Sequence, residues 1–205
     1  HRGPDYFVSP YNFTEEVLKM IGPVPSSVAI HDVTLRDGEQ QAGITFRKED
    51  KVKIAQALAE AKVDRIEAGM PTVSDEDFQA VKEIANMRLG PKIYAFTRCM
   101  VQDVDIARKA DVDAVVMEIP SSDHLIEQAY GWTIDRAIKT SVEATRYAHE
   151  HGMRVTFFTI DATRTNFEIF MKIIKAVATE GHMDALALAD TFGVMNPHAM
   201  YYFIK

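Results

Sequence analysis

Short runs of β-branched and aliphatic residues alternate along the chain with longer stretches in which apolar residues recur every three or four positions. That alternation predicts stacked strand–helix units built around a parallel sheet. Six strands are expected, at Val28–Thr34, Arg65–Ala68, Lys92–Phe96, Ala114–Ile119, Arg154–Thr159 and Ala185–Ala189. Most are too apolar to keep one face wet, as strands covered on both sides should be. Between Lys48 and Ala61, a stripe of Ile54, Leu58 and Ala61 predicts a helix; Ser74 with Asp77 opens another, with Phe78, Val81 and Ala85 facing inward. Thr133 is the expected cap of a long helix lined by Ile134, Ala137, Ile138, Ser141, Val142 and Thr145, which Gly152 stops. Thr165 and Glu168 predict a further capping box, followed by Phe167, Phe170, Met171, Ile174 and Ala178 up to Gly181.

Right-handed units of this kind either close into an eight-stranded barrel or spread into an open doubly wound sheet. The open dinucleotide-binding sheet needs Gly-x-Gly-x-x-Gly after its first strand, where this chain has Leu35-Arg-Asp-Gly-Glu-Gln40. Six units in 205 residues keep the pace of a (β/α)8 TIM barrel, which takes about 250 residues for all eight. The expectation is therefore an α/β fold with about six of the eight units in residues 28–205. An N-terminal arm, residues 1–27, precedes it and holds Pro4, Pro10, Pro23 and Pro25 around an amphipathic piece, Thr14–Ile21. Six strands leave two open edges, so the barrel is expected to continue beyond residue 205 or to be filled by a partner.

Charge narrows the partners. Lys and Arg number 23 against 30 Asp and Glu, for a net charge of -7 without any basic cluster. Nothing here drives counterion release on nucleic acid or attraction to anionic lipid. No apolar run approaches the roughly 20 residues that span a bilayer. With one cysteine, Cys99, and no secretory layout at the N-terminus, the expected compartment is the cytoplasm.

In a barrel the carboxyl ends of the strands face the shared mouth. Those ends carry Arg36, Asp37 and Gln40; Glu67 and Gly69; Thr97 and Arg98; Glu118, Ser121, Ser122 and His124; Asp161, Thr163 and Arg164; and Asp190 and Thr191. Carboxylates beside arginines in one cleft suit a hard divalent cation and an anionic oxygen substrate. On its own, Asp32–Gln40 reads equally as a polar turn, with Asp37-Gly38 in left-handed geometry, or as part of such a site. His149-Glu-His151 ends a helix on the opposite side and reads as solvated imidazoles at the negative pole of the helix dipole. His124 reads as a loop residue, His31 as a satisfied interior group and Cys99 as a buried thiol.

Asp32–Gln40, Glu67-Ala-Gly-Met-Pro71, Asp161-Ala-Thr-Arg-Thr165 and Leu188-Ala-Asp-Thr-Phe-Gly-Val194 occur in order over residues 28–197. Together they resemble the metal-dependent family that contains 2-isopropylmalate, homocitrate and citramalate synthases and 3-hydroxy-3-methylglutaryl-CoA lyase. The resemblance implies that Asp37 binds a catalytic Mg²⁺, Mn²⁺ or Zn²⁺, that Arg36 sits over the reacting carbonyl, and that Thr191 contacts the substrate carboxylate. It adds Gln40 and Ser121 as substrate contacts, and Glu67 as either a ligand-orienting carboxylate or an acid–base group. The family's remaining metal ligands, a His-x-His pair on a seventh strand, lie beyond this chain. The implied activity is condensation of acetyl-CoA, or a related acyl-CoA, with a 2-oxo acid in a homodimer. Alternatives are the reverse lyase chemistry and a non-catalytic paralogue. One departure is Ile160, where the synthases usually carry a glutamate, because isoleucine relays no proton; Asp161 and Glu118 are candidate substitutes.

Overall fold

The structure, a computed structural model, describes residues 8–23 and 25–205. Pro4, expected in the N-terminal arm, lies outside the described residues. Within the arm, α1 (Glu15–Ile21) forms the amphipathic piece that the pattern predicts.

Six strands follow: β1 (His31–Asp32), β2 (Arg65–Glu67), β3 (Lys92–Arg98), β4 (Ala114–Pro120), β5 (Arg154–Ile160) and β6 (Ala185–Leu188). Every neighbouring pair is parallel, and the order across the sheet is the order along the chain. A doubly wound sheet would reverse its strand order at a switch point; this one never does. It is a half-barrel, a partial TIM barrel with helices α2 (Lys48–Glu60), α3 (Asp75–Asn86), α4 (Val101–Lys109), α5 (Ile134–Glu150), α6 (Phe167–Glu180) and α7 (Pro197–Ile204). Alternation sorts the strands. Ile93, Ala95, Val115, Met117, Val155 and Phe157 pack against the helices, while Tyr94, Phe96, Ala114, Val116 and Phe158 cluster on the concave face. Each large side chain so buried contributes about 1.5–3 kcal/mol. Among the described residues no helix is long and apolar enough to cross a membrane.

Three local expectations are corrected. β1 is two residues rather than Val28–Thr34: Val28 and Ile30 are exposed, and the N–H of Ile30 is taken by Asp64 Oδ2 at 2.7 Å. As an edge strand it pairs on one side only. The exit from β1 is right-handed, with Asp37 at φ −69° and ψ −39°, because the N–H groups of Arg36, Asp37 and Gly38 all converge on the Val33 carbonyl. The cap of α6 is Asn166, not Thr165: its Oδ1 accepts from the N–H of Glu168 at 2.9 Å, while the Thr165 hydroxyl donates to the Asp161 carbonyl. The buried face of α6 accordingly consists of Phe170, Ile173 and Val177, and Phe167 is exposed. Ser74 and Thr133 cap α3 and α5 as expected.

Candidate active site

The right-handed turn after β1 folds Arg36 back over the concave face. Its Nε donates to Glu67 Oε1, its Nη1 to Asp37 Oδ1 at 3.0 Å, and its guanidinium lies 4.2 Å from the centroid of the Phe96 ring. The Glu67 side chain is 3% exposed, and its other carboxylate oxygen is 3.1 Å from His31 Nε2. His31 rests edge-on against Tyr94, a satisfied interior position. Asp37 contrasts with Glu67, with 64% of its side chain open at the mouth. One carboxylate holds the arginine in place and the other is left accessible.

Under this group lies a brace that the sequence reading did not single out. Lys51 on α2 is 2% exposed and forms ion pairs with Glu39, at 2.6 Å, and with Asp77 on α3. Burial pulls the Lys51 pKa down, but its hydrogen bonds to Asp77 and Glu39 outweigh that and the net shift is upward. Gly69 allows the close fit. Its φ of +146° suits glycine, and a Cβ there would meet Val81 Cγ2 at 3.3 Å. The available signal was a lysine in register with the apolar stripe of Ile54, Ala55 and Leu58.

On the far side of the mouth Asp161 is the hub. Its side chain is fully buried, accepts from Ser122 Oγ at 2.6 Å, and receives Arg164 Nε and Nη2 at 2.7 and 2.8 Å. Burial pushes the Asp161 carboxyl up, and the Arg164 and Ser122 hydrogen bonds more than reverse it, so the net shift is downward. Its backbone is left-handed at φ 60°, a geometry Asp tolerates better than most residues. That turn aims the Asp161 N–H at Thr191 Oγ1, 2.8 Å away. With its acceptor side engaged, the Thr191 hydroxyl keeps its own proton for a ligand. Arg164 also stacks on Phe192, 3.9 Å from the ring centroid.

The other expected site residues are less central. The Ser121 hydroxyl is turned to the chain itself, donating to the Ile160 carbonyl at 2.7 Å and lying 3.2 Å from Thr165 Oγ1. Gln40 is exposed beside Glu39. His124 is exposed, and His149 stacks on His182 at the amino end of the barrel. Cys99 is buried, and that burial pushes its thiol up to about 12, so it is inert at neutral pH. Glu118 points from β4 onto the concave face; burial raises its pKa, and the charges of Arg36 and Arg98 offset this only in part.

The donor set does not by itself enclose a metal. Among the described residues no group of three or more His, Cys, Asp or Glu side chains is placed to hold one. Glu67 is committed to Arg36 and His31, which leaves Asp37 as a lone open carboxylate. Hard divalent cations take six or more oxygen ligands.

A protein-family model described as HMGL-like matches residues 27–205. A probable 2-isopropylmalate synthase of Ignicoccus hospitalis is 44% identical over 182 residues, covering 89% of this chain and 45% of that protein. A homocitrate synthase of Methanothermobacter thermautotrophicus is 36% identical over 200 residues, covering 98% of this chain and 50% of that protein. The chain thus spans about half the length of these curated relatives. Among solved structures, a Bacillus subtilis HMG-CoA lyase superposes with a TM-score of 0.75 at 17% identity, covering 89% of this chain and 64% of that one. At that identity the likeness speaks to the fold.

Proposed function

The chain belongs to the HMGL-like family, and from that membership we propose that it carries the condensing half of an acyltransferase, which joins acetyl-CoA or a related acyl-CoA to a 2-oxo acid. The observation that carries this reading is the Arg36 guanidinium, fixed by Glu67 and the Phe96 ring at the mouth of the half-barrel. Attack of a thioester enolate on a keto carbon builds negative charge on the former carbonyl oxygen. A preorganised donor that already sits there stabilises that charge without reorganising, an effect worth about 10²–10³ in rate. Among the described residues nothing engages the other terminal nitrogen of Arg36, Nη2, which is available for this task. Thr191 offers its hydroxyl proton to the acceptor's carboxylate, and Glu67 keeps Arg36 in register.

Asp37 is the ligand this chain would lend to a divalent cation such as Mg²⁺, Mn²⁺ or Zn²⁺, which would sharpen the acceptor carbonyl. One carboxylate is an incomplete set, so the chain alone should bind such ions weakly. Gln40 and Ser121 remain proposed substrate contacts; for Ser121 this requires a hydroxyl already bonded to Ile160 to turn. A cytoplasmic homodimer is part of the same proposal, and light scattering on the full-length protein tests the dimer.

The deciding assay supplies full-length protein with acetyl-CoA, Mg²⁺ or Mn²⁺ and a panel of 2-oxo acids, and follows the free thiol that water releases when the thioester of the condensed product is hydrolysed. Release that depends on one acceptor supports the reading. No release with any acceptor sinks it, and carbon–carbon cleavage of a 3-hydroxyacyl-CoA to a shorter acyl-CoA and a carbonyl product, with the thioester intact and no free thiol, would then favour the lyase direction.

A further inference from the structure

Beside the Arg36 cluster, the tips of β3 and β4 and the segment carrying Tyr130 and Trp132, which follows the π-helical turn Leu125–Ala129, enclose a cavity of about 140 Å³. Its walls include Met100, Pro120, Tyr130 and Trp132, with Arg98 and Glu118 as the charged members. The two aromatic rings meet edge-to-face at 5.5 Å, and Arg136 covers the outer side of Trp132 at 4.7 Å. Liquid water takes about 30 Å³ per molecule, so the space suits a short branched side chain.

The charges around this space are unbalanced. Arg98 is held at 2.7 and 3.0 Å by both oxygens of Asp103, Arg36 by Glu67 and Asp37, and Arg164 by Asp161. Every arginine at the mouth is therefore neutralised by a carboxylate of the chain. The Glu118 backbone carbonyl accepts from the Cys99 N–H, but its carboxylate has no hydrogen bond or ion pair among the described residues. A ligand entering this cavity meets apolar walls and an acid whose charge Arg36 and Arg98 offset only in part among the described residues.

Resting on the synthase reading above, we infer that this cavity receives the side chain of the 2-oxo acid and that Glu118 restricts acceptors to monocarboxylic 2-oxo acids with short, uncharged side chains. A second carboxylate on the acceptor would be desolvated opposite Glu118, with like charge at close range, while Arg98, the cation of the cavity wall, is already held by both oxygens of Asp103. Repulsion of the wrong ligand sets specificity as effectively as attraction of the right one.

The test measures equilibrium binding to the full-length protein of 3-methyl-2-oxobutanoate and of 2-oxopentanedioate, and in parallel the thiol release each supports with acetyl-CoA. The monocarboxylic acid is expected to be favoured at least about 100-fold in both readouts, and Glu118→Gln to narrow that ratio about tenfold. Trp132→Ala, which enlarges the cavity without changing its charge, should admit longer uncharged acceptors and leave the charge discrimination in place. Equal or tighter binding of the dicarboxylic acid, binding of neither acid, or a ratio that Glu118→Gln does not move overturns the inference. Selective binding without thiol release would remove the synthase reading and leave the specificity assignment standing.

Discussion

Two arginine–carboxylate pairs flank the mouth, and they differ in what surrounds them. Arg36 and Glu67 are 31 residues apart, join the tips of β1 and β2, and have side chains 12% and 3% exposed. Arg164 and Asp161 lie within one turn, and the Arg164 side chain is 39% exposed. Each guanidinium covers an aromatic ring, Phe96 or Phe192. The long-range pair spans the curvature of the sheet and presents a charged donor to a ligand. The local pair shapes a left-handed turn that presents a neutral hydroxyl, that of Thr191. Similar chemistry yields a reactive group in one place and a scaffold in the other.

The comparison breaks most visibly at Arg36. Arg36→Ala is expected to lower the rate of thiol release about 10²–10³-fold. It also strands the buried Glu67, at a cost of about 3–5 kcal/mol, which a denaturant titration reads. Asp161→Asn keeps the size of the side chain and tolerates the left-handed backbone, so it removes only the charge pairing. A loss of about 1–3 kcal/mol is expected, with an increase in KM for the acceptor larger than the fall in kcat. Next come the rings. Apart from the packing each ring provides, loss of its cation contact in Phe96→Ala should weaken the site by about 2 kcal/mol and in Phe192→Ala by about 0.5–1, because the first contact is desolvated and the second is partly wet.

The smallest effects are in the pH dependence of stability, where the signs oppose. The Asp161 carboxyl in the folded chain lies below the ordinary value of about 3.9, so its stabilisation is complete above that value and is lost as pH falls through the lower folded one. Asp161→Asn should therefore flatten the acid side of the stability curve. Glu118 is shifted upward, so its ionisation opposes folding above its folded pKa, and the penalty fades as pH falls toward the ordinary value of about 4.3. Glu118→Gln should raise the melting temperature at neutral pH by less than about 4 °C and leave it unchanged at pH 3. Equal curves for Glu118→Gln and the parent would show that the carboxylate carries no burial penalty.

The strands from β2 to β5 and the helices were legible because their apolar spacing is dictated by burial within a parallel sheet and its helical cover; β6 was legible from its aliphatic run alone, for Ala185 and Leu186 are exposed. β1 was overread, since Val28 and Ile30 look like a strand in sequence but lie where the edge has a single neighbour. The α6 cap was misassigned by one residue because Thr165 and Asn166 are both competent caps, and the bond from Thr165 to Asp161 that decides between them is tertiary. Sequence position placed Arg36, Asp37, Glu67 and Thr191 at strand tips, but the partnership of Arg36 with Glu67 and Phe96 depends on sheet curvature, which no spacing encodes. The cavity at Tyr130 and Trp132 depends on a π-helical turn, which has no periodic signal of its own in five residues.

Lys51 has a consequence for how this barrel can be altered. Its ammonium is sealed between Glu39 and Asp77, so the segment bearing Arg36 and Asp37, the start of α3 and the first turn of α2 are transplantable only as one block. A loop graft that brought a neutral residue to position 39 would leave Asp77 as the partner of Lys51 and remove one charge-assisted hydrogen bond, at a cost of about 1.5–3 kcal/mol.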